Sequence, residues 1–437
     1  MLSRLDLRGT ADLAGALARP EAEADPGGDD ALAAVRGILV DVRARGDAAV
    51  RELTLRFDGC DLADARVPAA DLRAALDAAT PELRQALKVA AARIRAYHAL
   101  QAAVPEPALD RDGVSLRELA IPVARAGLYV PGGRAAYPST VLMTAIPAKL
   151  AGVDELVLCV PPAADGRVPA ATLAAAALVG ITEVHRVGGA QAIAALAFGT
   201  HTIRPVDVIV GPGNRYVALA KREVAGIVGI ESFAGPSEVV VVADGSVPAD
   251  FAAADLLAQA EHGPGGAGVL VAWDPAVVDA TVDALERLVV DAPRRDEIAA
   301  TLATGGRAVL VDDAVAALDA VNAIAPEHLE LLTTDPEALL PLVRNAGAVF
   351  LGPWSPAALG DYVAGVNHVL PTDRSARFAS ALRVDTFRKH VHVVRATEDG
   401  LAALAPHVDA IAAAEGLDAH ARSVDVRRAL TVPRDTP

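Results

Sequence analysis

The sequence is poor in aromatic residues, cysteine and positive charge. Phe, Trp and Tyr make up 3% of its 437 residues, so burial must rely on aliphatic side chains in a chain that is 53% hydrophobic. Its two cysteines, Cys60 and Cys159, lie far apart and do not make a disulfide framework. The formal net charge of −16 argues against a nucleic-acid partner, which requires clustered lysine and arginine.

Long apolar runs are also missing. No run reaches the roughly 18–20 residues that a membrane-spanning helix needs, and the opening MLSRLDLRGT lacks the apolar core of a secretion signal. We therefore expect a cytoplasmic globular protein without a membrane partner. At about 150 residues per domain, the length predicts two or three domains.

The spacing of apolar residues changes along the chain. Residues 31–57 and 71–103 carry apolar side chains at intervals of three and four, which predicts helices. Later, apolar runs about 25 residues apart alternate with alanine-rich stretches, which predicts parallel strands joined by right-handed helical crossovers. The predicted strands are 153–160, 181–188 and 206–213 in a first series, and 237–244, 266–273, 307–313, 328–333 and 346–352 in a second.

These patterns predict an α/β protein with two doubly wound, Rossmann-like parallel-sheet domains, a helical amino-terminal region and a helical carboxyl-terminal arm. We divide the chain into an arm (1–25), a helical region that packs on the second α/β domain (26–125), a first Rossmann-like domain (126–236), a second (237–380) and a carboxyl-terminal arm (381–437).

Two glycine-rich turns are candidates for contact with a dinucleotide, which such sheets bind at the carboxyl ends of their strands. The chain has no GxGxxG motif opening a helix. Its nearest approximation, GPGNRY at 211–216, follows a strand and precedes a helix but lacks the third glycine, so a plain tight turn explains it as well. The GGAQ turn at 188–191 is equally ambiguous by itself.

The stretch LLAQAEHGPGG, at 256–266, places two polar side chains at the end of a predicted helix over 250–262. Gln259 and His262 are three residues apart, so they share a helix face and are able to hold one metal ion. Alternatively, the histidine only interacts with the carboxyl end of the helix dipole. In APEHLEL, Glu327 and His328 each accept a proton near neutral pH, although a local ion contact is the alternative reading.

Later segments add further polar candidates. Asp361 and His368 lie in a glycine-containing loop, and Glu415 and His420 are five residues apart, so they meet at one site only across a bend. Nitrogen and oxygen donors without a thiolate suit Zn²⁺, with Mn²⁺ also possible, and the candidate set is Gln259, His262, Asp361 and His420.

Eight long blocks follow one another along the sequence: PGGRAAYPSTVLMTAIPAKLAGV, GGAQAIAALAFGT, VDVIVGPGNRYVALAKREVAG, ESFAGPSEVVVVAD, LLAQAEHG, APEHLEL, NHVLPT and AEGLDAHARSVDVR. With these blocks, in this order, the sequence resembles the histidinol dehydrogenase family over nearly its whole length. Glu231 and Gly263 stand where that family usually has aspartate, and Val366 where it has proline or threonine.

The resemblance implies a reaction and a site. The family oxidises L-histidinol to L-histidine in two NAD-dependent steps through an aldehyde, at the end of histidine biosynthesis. It implies His328 as proton acceptor and Glu327 as the activator of water. The implied zinc ligands are Gln259, His262, Asp361 and His420. The implied substrate contacts are these four with Ser237, His328, His368 and Glu415. The implied NAD contacts are Tyr129, Gln191 and Asn214.

The resemblance also implies an intertwined homodimer, in which the carboxyl-terminal arm supplies Glu415 and His420 to the site of the other subunit. Three alternatives stay open at the level of the sequence. They are a related dehydrogenase for another amino alcohol or diol, a zinc hydrolase with an open metal position, and a non-catalytic binding protein, against which the Glu327–His328 pair argues.

Overall fold

The computed structural model describes residues 1–17, 28–103, 106–132, 135–232, 235–263 and 265–431. By internal contacts the chain forms two compact units, Met1–Ala102 with Val123–Phe387 and Ala103–Pro122 with Arg388–Pro437. The described strands are β1 (Ser3–Asp6), β2 (Ala108–Arg111), β3 (Val114–Pro122), β4 (Arg125–Tyr129), β5 (Glu155–Cys159), β6 (Glu183–His185), β7 (Val208–Val210), β8 (Gly229–Ile230), β9 (Glu238–Ala243), β10 (Ala267–Ala272), β11 (Gly306–Leu310), β12 (His328–Leu332), β13 (Ala348–Leu351) and β14 (Arg388–Ala396).

The described helices alternate with these strands over most of the chain. They are α1 (Leu13–Ala16), α2 (Gly28–Arg45), α3 (Asp47–Asp58), α4 (Ala69–Ala78), α5 (Pro81–Ala102), α6 (Pro138–Ala151), α7 (Ala170–Leu178), α8 (Gly189–Phe198), α9 (Arg215–Val224), α10 (Ala249–Ala260), α11 (Pro275–Val290), α12 (Arg295–Gly305), α13 (Ala314–Ile324), α14 (Pro336–Leu339), α15 (Ala357–Tyr362), α16 (Glu398–Glu415) and α17 (Asp418–Thr431).

The first sheet of the larger unit is parallel, with strand order β6-β5-β4-β7-β8. Both of its faces are buried, because Leu128 and Tyr129, neighbours on β4, belong to two different apolar clusters. Along the chain, β5 and β6 extend the sheet on one side of β4, and β7 then pairs with the other side of β4. The carboxyl ends of β4 and β7 therefore flank the crevice where a sheet of this kind binds its ligands.

Helices α2 to α5 cover this first sheet, which corrects the prediction that the 26–125 region packs on the second α/β domain. Helix α2 contacts α8 and α9, α4 contacts α7, and α5 contacts α6. The apolar pattern predicted which face of each helix is buried but not which partner buries it. Each of the two long predicted helices is also interrupted, the first at Gly46, where φ is +56°, and the second before Pro81.

The second sheet of the larger unit is also parallel, with strand order β1-β11-β10-β9-β12-β13. Its strands β9 to β13 confirm the second predicted series. The edge strand β1 was not predicted, and it joins the amino-terminal segment to β11. Helices α10 to α12 contribute to the apolar cluster on one face, and α13 to the cluster on the other.

The smaller unit contains an antiparallel sheet with strand order β14-β3-β2, followed by α16 and α17. The predictions of a helical region over 26–125 and a helical arm over 381–437 are therefore wrong at β2, β3 and β14. These strands are mostly exposed and mix charged with apolar residues, so they lack the continuous apolar run that marks the buried strands.

Two predictions from the composition have structural counterparts. Cys60 and Cys159 are both free and buried, as expected of residues that do not form a disulfide. Within the described ranges, every helix is too short or too polar to cross a bilayer.

Candidate active site

Glu327 and His328 lie where the chain enters β12, at the amino-terminal edge of the second sheet. The neighbouring strand β9 positions both side chains through the backbone of Glu238. Its N–H donates to Oε2 of Glu327 over 3.0 Å, and its carbonyl oxygen lies 3.2 Å from Nδ1 of His328. Because a carbonyl only accepts, Nδ1 carries a proton, which leaves Nε2 as the ring nitrogen available to a reactant.

The electrostatics of this pair are set by burial and by two carboxylates. Burial lowers the pKa of His328, but Glu327, with Oε2 3.6 Å from Nδ1, and Asp361, with Oδ1 3.4 Å from Nε2, together raise it to about 9. At neutral pH the ring of His328 is therefore protonated on both nitrogens in this arrangement. Burial raises the pKa of Glu327, which makes its carboxylate a stronger proton acceptor than an exposed glutamate.

Asp361 lies on the short helix α15 and faces a group of histidines. Burial raises its pKa, but His328, His368 and His262 outweigh that effect and leave it lowered, so Asp361 stays ionised. Nδ1 of His368 donates to the backbone oxygen of Asp361 over 2.9 Å, and Nε2 lies 3.1 Å from Oγ1 of Thr140. Both ring nitrogens of His368 are thus engaged within the protein.

Gln259 and His262 lie at the end of α10, which stops at Ala260, two residues before the predicted end. The backbone oxygen of Gln259 lies 3.2 Å from Nδ1 of the exposed His262, a contact within the turn that leaves Nε2 of that ring free for another partner. Gly263 has φ of +98°, a conformation in which any other residue is strained.

The donors predicted for zinc fit that metal in chemistry. The amide of the buried Gln259 is only partly engaged, because its Nε2 has no hydrogen-bond partner among the described residues, and its Oε1 is the atom that would bind zinc. Within the same residues, however, no three histidine, cysteine, aspartate or glutamate side chains are grouped closely enough to hold a metal ion. The predicted set contains two residues of these types in the larger unit, His262 and Asp361, together with a glutamine that such a group does not count.

Glu415 and His420 belong to the smaller unit, on either side of a bend. Helix α16 ends at Glu415, Gly416 adopts a left-handed φ of +70°, and α17 begins at Asp418. Both side chains are exposed. The break supplies the bend that their five-residue spacing requires.

The three residues predicted to contact NAD lie at the carboxyl-terminal edge of the first sheet or just beyond it. Tyr129 ends β4, and its buried hydroxyl accepts a hydrogen bond from Gly189 N in the GGAQ turn over 3.1 Å. Gln191, in the first turn of α8, is 1% exposed, and its Oε1 has no hydrogen-bond partner within the described ranges. Asn214 caps α9 by accepting from Val217 N over 3.1 Å.

The GPGN turn sits in the crevice between β4 and β7. Gly211 has φ of +120°, and a Cβ there would lie 1.9 Å from the backbone oxygen of Tyr129, so only glycine fits. Two buried charges anchor this turn. Lys221 donates to the Gly211 oxygen over 3.2 Å, and Glu231 accepts from Gly211 N over 2.7 Å.

The residue pattern alone did not identify several side chains that support the site. The ring of Phe350 stacks on that of His328, with centroids 6.0 Å apart. Glu330 is fully buried beside Asp255, and Lys221 pairs with Glu231. The available signal was a charged residue inside an apolar segment, Glu330 in HLELL and Lys221 on the buried face of α9.

Comparison with known proteins identifies the family. The family described as histidinol dehydrogenase matches residues 22–428. Histidinol dehydrogenase of Rhizobium meliloti (strain 1021) is 51% identical over 91% of this chain and 92% of its own, and that of Synechococcus sp. is 49% identical over 97% and 99%. The crystal structure of histidinol dehydrogenase from Elizabethkingia anophelis, 36% identical, matches with a TM-score of 0.92 over 98% of both chains. The chain therefore belongs to the histidinol dehydrogenase family and is an NAD-dependent oxidoreductase.

Proposed function

We propose that this protein oxidises L-histidinol to L-histidine in two NAD-dependent steps through L-histidinaldehyde, the last step of histidine biosynthesis. The observation that carries the proposal is the cluster of Glu327, His328 and Asp361 at the edge of the second sheet, in a chain of this family. An alcohol oxidation needs a base for the hydroxyl proton while hydride leaves carbon for the nicotinamide.

His328 is the proposed base. Its Nδ1 is held by the Glu238 carbonyl, so the neutral imidazole accepts the substrate proton at Nε2. The neighbouring carboxylates of Glu327 and Asp361 stabilise the imidazolium that forms. The proton of the alcohol passes to His328, the hydride passes to NAD, and the products of the first step are the aldehyde and NADH.

Glu327 is the proposed activator of water in the second step. An aldehyde has no hydroxyl to deprotonate, so water must first add to it and give a hydrate. The buried Glu327 carboxylate, whose pKa is raised, takes one proton of that water, and the protonated His328 left by the first step gives its proton to the aldehyde oxygen. The neutral His328 then deprotonates the hydrate as hydride leaves for a second NAD. This gives the carboxylic acid of histidine, which loses its proton to become the carboxylate. The aldehyde stays bound while NADH is exchanged for NAD.

The proposed metal is zinc, with manganese as the alternative. When bound, it would hold the imidazole and amino nitrogens of the substrate and neutralise the Asp361 carboxylate, which lowers the pKa of His328 toward its ordinary value. Ser237 and Glu415 contact the substrate, and His368 does so where Thr140 releases its Nε2. The proposed ligands are Gln259, His262, Asp361 and His420.

We also propose how the domains and subunits are arranged. We take residues 126–236 and 237–380 as two doubly wound, Rossmann-like domains, the first of which contacts NAD through Tyr129, Gln191 and Asn214. The protein is an intertwined homodimer, and the arm over 381–437 brings Glu415 and His420 to the site of the other subunit. Each site is then complete only in the dimer.

The test is NADH absorbance after mixing enzyme, L-histidinol and NAD. We expect two NADH per histidine formed, and reversible loss of activity when a chelator removes the metal. Production of NADH from another amino alcohol or diol but not from histidinol would favour the related-dehydrogenase alternative. Activity that survives complete removal of metal would contradict the zinc assignment.

A further inference from the structure

Two carboxyl side chains lie close together on the face of the second sheet that carries His328. Glu330 follows His328 by two residues on β12, so both point to one face, and Glu330 is fully buried. Leu332, on the same face, shares an apolar cluster with Leu256 of α10. The carboxyl group of Asp255, also on α10, interacts with that of Glu330, whose buried Oε2 has no donor among the described residues. Because carboxylates only accept hydrogen bonds, a hydrogen bond between the two groups requires a proton on one of them.

This carboxyl pair is connected to elements that carry two proposed metal ligands. Asp255 precedes Gln259 by four residues on α10, so the two share a helix face. Glu330 Oε1 accepts from the backbone N–H of Ala357 over 2.8 Å, at the first residue of α15. Asp361 follows Ala357 by four residues on that short helix. One carboxyl pair thus links α10, β12 and α15.

The surroundings favour a single shared proton. Burial raises the pKa of Glu330, and the hydrogen bond and charge of Asp255 raise it further, whereas Ala357 N–H and His328 act in the opposite direction. Burial also raises the pKa of Asp255. Two ionised carboxylates in contact, one buried and the other half-buried, repel each other, so the pair retains one proton between them.

We propose that Asp255 and Glu330 are a positioning pair for the metal and substrate site. Their shared hydrogen bond fixes α10 against β12, and the bond from Ala357 fixes the start of α15, so Gln259 and Asp361 are held at the spacing that the site needs. The inference rests on the proposed function, which makes Gln259 and Asp361 metal ligands. The pair acts through those residues and does not itself contact substrate.

Three variants test the pair. Glu330→Gln retains an acceptor for Ala357 and gains a donor for Asp255, so it should match the wild type within about twofold. Glu330→Leu removes both bonds and should weaken zinc binding about tenfold or more, the effect typical of groups that orient metal ligands. Asp255→Leu removes only the link to α10 and should weaken zinc binding while Ala357 stays protected.

The readouts are zinc affinity, by competition with a chromophoric chelator, KM and kcat for histidinol, and hydrogen exchange of residues 357–362 in metal-free enzyme. Exchange at Ala357 should accelerate in Glu330→Leu and not in Glu330→Gln. Wild-type zinc affinity in the leucine variants, or equal losses in Glu330→Gln and Glu330→Leu, would overturn the proposal.

The controls separate this inference from the proposed function. Where Glu330→Leu does not fold, Asp255→Leu carries the test. A wild-type enzyme that forms no NADH from histidinol would overturn the proposed function instead. The exchange measurement, which uses metal-free protein, would still decide whether the pair holds α15.

Discussion

Lys221 and Glu231 form an ion pair directly beside the glycine turn between β4 and β7. Nζ of Lys221 lies 2.6 Å from the Glu231 carboxylate, and the two side chains are 1% and 3% exposed. Each also bonds to Gly211, Lys221 to its oxygen and Glu231 to its N–H. The pair therefore fixes both polar groups of the residue that must adopt φ of +120° next to Tyr129.

Replacement of Lys221 by methionine should destabilise the protein and loosen this turn. The variant leaves Glu231 buried without its partner, which costs about 3–5 kcal/mol of unfolding free energy. Because Asn214 follows the turn, we expect the KM for NAD to rise while the KM for histidinol stays unchanged. Denaturant unfolding and steady-state kinetics measure the two effects.

The neighbouring exposed Arg222 supplies the control, since Arg222→Met removes a positive charge without breaking the pair. In the double variant Lys221→Met, Glu231→Leu, we expect most of the stability to return but not the affinity for NAD. A double variant with normal KM for NAD would contradict a role for the pair in positioning the turn.

His328→Ala should abolish the first hydride transfer. The variant removes the proposed base, which faces Asp361, and loss of a positioned general base lowers the rate by about 10²–10⁴-fold. Stopped-flow NADH formation from histidinol measures this step. His201→Ala, at an exposed histidine, is the matched control and should behave like the wild type. Wild-type NADH formation by His328→Ala would exclude His328 as the base.

Glu327→Gln should separate the two oxidations. The amide keeps an acceptor for Glu238 N–H but no longer takes a proton from water, so hydration of the aldehyde slows. We expect a rapid first NADH per site followed by slow formation of the second, and slow oxidation of supplied histidinaldehyde. Equal wild-type rates for both NADH molecules would show that another group activates the water.

Parts of this molecule could be predicted from the sequence because their residues are continuous in the chain. The parallel strands followed from apolar runs such as HLELL, and the Glu327–His328 pair from adjacency alone. In both cases a short local segment contained the information. Gln259 differs, because glutamine is an uncommon zinc ligand that its spacing would not have singled out, and its place in the proposed set rests on the family resemblance.

Other parts could not be predicted because they depend on contacts between distant segments. The exposed strands β3 and β14 are 266 residues apart at their paired positions Pro122 and Arg388, and each resembles an ordinary polar segment until the other is known. Asp255 and Glu330 likewise look like unrelated charges in the sequence. Only the packing of α10 on the sheet face that carries Leu332 of β12 brings them together.

Co-expression of two inactive variants tests whether the site is shared between subunits. His420→Ala lacks a proposed zinc ligand, and Glu327→Gln lacks the proposed water activator. If the arm of one subunit completes the site of the other, a mixed dimer has one intact site and one doubly altered site. With random pairing, about a quarter of wild-type activity should return. The same level of activity as the separate variants would contradict a shared site.

Glu330→Gln should make the stability of the metal-free enzyme less sensitive to alkaline pH. The pKa of Glu330 is raised in the folded state, so above the ordinary glutamate value the unfolded chain releases a proton that the folded protein keeps. The stabilising contribution of Glu330 is therefore fully present below the pKa of this group in the unfolded chain. It is lost as the pH rises through the pKa of Glu330 in the folded protein. The stability difference between variant and wild type should grow by up to about 1.4 kcal/mol per pH unit in that window.

Denaturant unfolding at a series of pH values in the presence of chelator measures this difference. Glu337→Gln makes the same change at an exposed glutamate, so its stability should follow the wild type at every pH. Parallel curves for Glu330→Gln and the wild type would mean that the buried pair holds no extra proton. Such a result would also contradict the shared hydrogen bond that links α10 to β12 in the proposal, because two ionised carboxylates in contact repel each other.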